Sequence, residues 1–173
     1  TVAAMATPAA LARVAREVAE DALAEGAVLA EFRIAPLLFE PFGLGADEVV
    51  EALLHGLAGC PELPCGLIVC AMRHLPPGET LRAAQLALRF AGRSPSGAGG
   101  PGVVGFDLAG AEFGHPCREH AQALAECIYS PRLTSSNLCT LGKLPLLGQA
   151  SAGQTPTVEQ VMQRVLVSSD WMG

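Results

Sequence analysis

Val103-Val104-Gly105-Phe106-Asp107-Leu108-Ala109-Gly110-Ala111-Glu112 reads as a buried strand that ends in a polar, glycine-marked turn. Val103, Val104, Phe106 and Leu108 form an apolar run of strand length, which fits a strand covered on both faces. Asp107 interrupts that run, and a carboxylate inside an apolar strand needs a partner, because an unpaired charge out of water is very costly. Gly110 lets the backbone approach whatever lies at the strand's carboxyl end. That end is where ligands bind in parallel α/β sheets and barrels. The same residues also read as a strand followed by an ordinary turn.

Working back from this stretch, Gly66 to Met72 reads as another buried strand, closed by the cation and imidazole of Arg73-His74. Between the two lie a helix over 79–91, with Leu81, Ala84, Leu88 and Ala91 in register, and a Gly- and Ser-rich loop over 92–102. Further back, Ala27 to Ile34 reads as a strand with Glu31 and Arg33 on one face by period-two alternation. Such a polar pair marks either an exposed face or an internal ion pair. A helix over 46–57 follows it, with Val49, Val50, Leu53, Leu54 and Leu57 as the apolar stripe and Asp47 and Glu48 in the first turn. His55 on that helix reads as surface or packing. A helix over 7–25 opens the chain: Thr7 suits the N-cap, Pro8 the first helical position, and Leu11, Val14, Val18 and Ala22 the buried face.

Forward of the stretch, 116–127 reads as a shorter fourth helix. Residues 128–156 lack sustained periodicity and read as an irregular region. Thr157 to Gln160 has the arrangement of a capping box and opens a terminal helix over 157–168. The order α-β-α-β-α-β-α predicts parallel strands joined by right-handed crossovers. Each of the three strands ends in a polar or glycine-marked turn, as a shared ligand edge requires.

Composition narrows the partners. The formal net charge is −6, and the 11 Lys and Arg residues do not cluster. Nucleic-acid binding needs a basic footprint and is disfavoured. No apolar run approaches the roughly 20 residues of a bilayer span, and no signal pattern opens the chain, so no membrane partner and a cytoplasmic location are expected. Six cysteines, at 60, 65, 70, 117, 127 and 139, make no close Cys-x-x-Cys pair and read as reduced thiols. His115, Cys117 and His120 cluster in sequence, but their spacing is not that of an established metal site.

Three blocks resemble the adenosine deaminase family of zinc-dependent hydrolases. Ala30-Glu31-Phe32-Arg33-Ile34-Ala35-Pro36 resembles the family's second barrel strand. Cys70-Ala71-Met72-Arg73-His74 resembles the end of the third, and Val103 to Glu112 the fourth, with the Asp-Leu-Ala-Gly motif intact. The blocks come in the family's order, and the likeness covers about residues 7–125, with family-like βα units over 7–127. A weaker echo is Ser135 to Thr140.

The resemblance implies a partial (β/α)8 TIM barrel: one incomplete domain over 1–173, with three to four parallel strands and flanking helices. A complete barrel takes roughly 250 residues. The family reaction is hydrolytic deamination of adenosine to inosine and ammonia, using zinc to lower the pKa of an attacking water. Its His-x-His pair, its His-Ala-Gly-Glu block, its later histidine and its Asp-Asp pair have no counterpart in these residues. The resemblance therefore implies a truncated or internally deleted member, inactive by itself and without bound zinc. No catalytic or metal-binding residue carries over. Gly110 carries over as a backbone N–H donor to the purine ring, with Asp107, Arg73, His74 and Glu31 in supporting roles near the site. A purine nucleoside is the implied partner. Exposed barrel edges imply self-association. The alternatives are a non-catalytic pseudoenzyme or a nucleoside- or protein-binding chain.

Overall fold

The computed structural model describes residues 2–94, 97, 99–128, 130 and 133. Helix α1 spans Pro8–Ala24, with Thr7 Oγ1 accepting from the Ala10 N–H at 3.2 Å. Strand β1 is Ala30–Ile34, and a 3₁₀ segment over Pro36–Phe42 leads from it into α2, Ala46–Leu57. Strand β2 is Cys65–Met72, helix α3 Pro77–Phe90 and strand β3 Val103–Ala109. A 3₁₀ turn over Cys117–His120 then runs into α4, Ala121–Ile128. Except for residues 128, 130 and 133, the expected irregular region, the terminal helix and the Ser135–Thr140 echo lie outside the described residues.

The three strands form one parallel sheet in the order β1-β2-β3. Alternation gives the sheet two unlike faces. Leu67, Val69 and Ala71 of β2 and Val103, Phe106 and Leu108 of β3 join one apolar core with residues of the helices. The opposite face carries Glu31 and Arg33, then Gly66, Ile68 and Cys70, then Gly105 and Asp107. Val103 and Phe106 are three residues apart, so a strict period of two cannot put both in the core. The register shift that sets Leu67 opposite Val103 but Ile68 opposite Gly105 resolves this. It acts as a bulge, absorbing the extra residue Val104. The Val104 methyls sit where a Cβ on Gly66 would be, 2.6 Å and 2.7 Å from it.

The buried face of α1 differs from the expected one. Leu11, Ala15 and Ala19 are buried, whereas Val14 and Val18 are each 40 % exposed. The cause is how closely α1 and α2 approach: Gly56 lies against the backbone of Ala12, leaving no room for a Cβ. Helices that close interlock through small residues, so an i, i+4 stripe of alanines takes the seam and the valines flank it. The fourth helix also starts later than its pattern indicates, because Pro116 is followed by a 3₁₀ turn.

Candidate functional site

The carboxyl ends of β2 and β3 are locked together through one residue. The Arg73 N–H donates to the Ala109 carbonyl at 2.7 Å. Its buried guanidinium donates from Nη2 to the Leu108 carbonyl at 3.0 Å and lies 3.3 Å from Glu112 Oε1. The Arg73 carbonyl lies 3.1 Å from His120 Nε2, and His120 Nδ1 is 2.8 Å from Thr80 Oγ1. A carbonyl can only accept, so Nε2 carries the proton, and Nδ1 is left to accept from the Thr80 hydroxyl. Neutral His120 thus uses both nitrogens. Burial pushes its pKa below the ordinary 6.5, outweighing the opposing pull of the Arg73 carbonyl. Because Thr80 lies on α3 and His120 leads into α4, this latch fixes the strand ends to both helices.

Gly110 follows β3 directly and has φ +99°. A Cβ there would lie 2.9 Å from His74 Nδ1 and 3.3 Å from the Arg73 nitrogen, so space and backbone conformation both call for glycine. The Ala109 carbonyl points at β2, where Arg73 donates to it. In a planar trans peptide the following N–H points the opposite way, so the Gly110 N–H is directed away from β2. It is a backbone donor at the carboxyl end of a parallel strand.

Beyond Gly110 the chain folds back. The His115 N–H donates to the Glu112 carbonyl at 3.0 Å, closing a turn whose third residue, Gly114, has φ +80°. Left-handed backbone at that position is the mark of a type II turn. The His115 ring meets the exposed His74 ring edge-on, 6.3 Å between centroids.

Asp107 has the partner its setting demands. Arg33 Nη1 donates to Asp107 Oδ2 at 2.7 Å, reaching from β1 across β2 to β3. Asp107 is 1 % exposed, whereas the Arg33 side chain is half in water. Cys70 is the β2 neighbour of Asp107. Burial pushes its thiol up to about 12, with the Asp107 charge adding to the shift and Arg33 opposing it.

Of the residues expected at the site, Gly110, Arg73 and His74 meet at one corner. Asp107 lies below them, buried in the ion pair. Glu31 stands away from that corner, exposed near the amino end of β1 with Gly66 as its strand neighbour. Thr80, Glu112, His115 and the latch role of His120 escaped the sequence. In sequence His115 and His120 stand out only as a cluster with Cys117 whose spacing is not that of an established metal site, and both His120 nitrogens are engaged elsewhere. His55 is exposed on α2. Among the described residues no three His, Cys, Asp or Glu side chains gather to hold a metal ion, and these residues do not fit a zinc centre.

A family profile described as adenosine deaminase matches residues 1–133. The adenosine deaminase of Mycobacterium ulcerans is 45 % identical over an alignment of 132 positions, and the match covers 71 % of this chain and 33 % of that protein. The chain spans about a third of the length of the curated relatives it matches. Among solved structures, the adenine deaminase of Arthrobacter aurescens superposes with a TM-score of 0.61 at 22 % identity, over 73 % of this chain and 38 % of that one. An amidohydrolase of Burkhoderia ambifaria with bound zinc gives 0.60 at 22 % identity, over 70 % and 32 %. The fold is thus α/β, three parallel strands with flanking helices that match part of a larger barrel. A profile covering most of the chain and an intact Asp107-Leu108-Ala109-Gly110 motif agree: the chain belongs to the adenosine deaminase family.

Proposed function

We propose that this chain is an adenosine deaminase-like protein of purine metabolism that binds a purine nucleoside and does not by itself turn it over. The observation that carries the reading is the Gly110 amide, directed away from β2 at the strand ends and held there by the Arg73–Ala109 bond and the packing of His74. A backbone N–H fixed in that way can donate to a ring nitrogen of a purine at little cost in reorganisation. The reaction proposed for the whole protein is hydrolytic deamination of adenosine to inosine and ammonia, as the name of the mycobacterial relatives suggests. Turnover needs a polarised water and a general acid–base. Among the described residues no three metal-ligating side chains gather, and Glu112, the carboxylate nearest Gly110 in sequence, is paired with Arg73.

Two further properties belong to this reading. The five described cysteines are free thiols, which supports a reducing, cytoplasmic setting. Among the described residues no helix is long and apolar enough to cross a membrane. Parallel sheets are ordinarily covered on both faces, and here β1 and β3 pair only with β2 among the described residues. This supports self-association.

The test is calorimetric titration of the purified chain with adenosine and inosine, paired with an absorbance assay of adenosine in added zinc. Heat of binding without loss of the adenosine band is expected. Zinc-dependent turnover would overturn the non-catalytic part, and no heat at high protein concentration would overturn the binding part.

A further inference from the structure

Phe113 stands almost wholly in water, 99 % exposed, at the second position of the Glu112–His115 turn. A tight turn projects its central side chains outward. This turn is also tied down on both sides of Phe113. Glu112 is held by the Arg73 guanidinium, and the ring of His115 rests edge-on against His74. Both anchors belong to the corner that follows β2, so the turn is held at the carboxyl end of the sheet, with Phe113 three residues beyond Gly110. The backbone beneath Phe113 is therefore already ordered, and covering the ring would cost little further entropy while removing apolar surface from water.

We propose that Phe113 is a second ligand-contacting residue, an aromatic wall for the flat base of a purine held at Gly110. The inference rests on the purine-binding reading above. A purine has a polar edge and an apolar face. The Gly110 N–H can serve only the edge, and the face is left for a side chain to cover. An aromatic ring covers such a face without selecting by hydrogen bonds, so Phe113 supplies affinity and Gly110 supplies orientation. Among the described residues the next most exposed large apolar side chains, Val28 and Leu29, precede β1 at the opposite, amino end of the strands.

Adenosine titrated into the full chain tests this. Phe113→Ala is expected to weaken binding about tenfold, and Val28→Ala to leave it unchanged. Phe113→Trp, made in a chain carrying Trp171→Phe, is expected to retain binding and to change its indole emission as adenosine is added. The Phe113 side chain is 99 % exposed, so its truncation should leave the fold intact, which circular dichroism checks. If the parent chain binds and Phe113→Ala binds equally well, the aromatic wall is wrong while the Gly110 reading stands. If the parent chain does not bind, both fall.

Discussion

The two faces of the sheet are built from the same three strands and do different work. On one face Leu67, Val69, Val103 and Phe106 are sealed against helices, and non-directional apolar burial supplies the stability. On the other, Ile68 is the one large apolar side chain, beside two glycines, a cysteine, Glu31 and the Arg33–Asp107 ion pair, whose directional contact spans all three strands. The contrast separates what holds this molecule together from what aims it. It also predicts that damage to the two faces will look different.

The largest effect is expected on the apolar face. Phe106→Ala removes a fully buried ring from the core and should cost about 3–5 kcal/mol, read as a fall in the urea midpoint with an unchanged slope. A loss below about 1 kcal/mol would mean that this face is not the principal core.

Next comes an asymmetry within the ion pair. Arg33→Ala leaves the buried Asp107 carboxylate without its partner and should cost about 2–3 kcal/mol, the lower end for such a loss because water can enter where the guanidinium stood. Asp107→Asn leaves a half-exposed guanidinium that water already reaches and should cost about 1 kcal/mol. Equal losses in denaturant melts would break the claim that burial of the carboxylate governs the pair.

A smaller effect is tied to pH. His120 binds its proton less readily folded than unfolded, so the unfolded chain takes up the proton first as the solution is acidified. The stability contributed by neutral His120 is therefore full above pH 6.5 and declines as pH falls from there toward the lowered folded value. His120→Gln should be less stable at pH 7.5 by about 1 kcal/mol and should flatten the slope below pH 6.5. A slope unchanged by the substitution would assign it to another group.

The smallest effect is one of reactivity. With thiols pushed up to about 12, Cys70 and Cys127 should resist iodoacetamide at pH 8 in the folded chain, while the less buried Cys117 reacts. Arg33→Ala should slow the labelling of Cys70 further, because the guanidinium charge opposes the upward shift of that thiol. Peptide mass spectrometry reads both.

These two faces were not equally legible in the sequence. The apolar runs announced three strands, and helix α2 falls on the expected residues, because period and capping are local properties. The need of Asp107 for a partner was legible too, but that partner proved to be Arg33, two strands away. Identifying it takes the strand order and register, which no local pattern holds. The buried stripe of α1 runs through its alanines rather than the valines that periodicity favours, because the seam is set by how near α2 comes at Gly56. At the site, Gly110, Arg73 and His74 could be named because strand ends are marked in the sequence. Thr80 and His120 could not, since hydrogen bonds between residues forty positions apart leave no periodic trace.

The central claim is that the Gly110 amide, aimed away from β2 at the end of β3, is the donor that receives a purine. It is tested most directly by following backbone amide resonances of the isotopically labelled chain while adenosine is added. Saturating downfield movement of the Gly110 amide is expected, with Arg73 and His74 following and β1 near Glu31 unmoved. Shifts gathered at the amino ends of the strands, or a Gly110 amide that stays in place while others saturate, would contradict it.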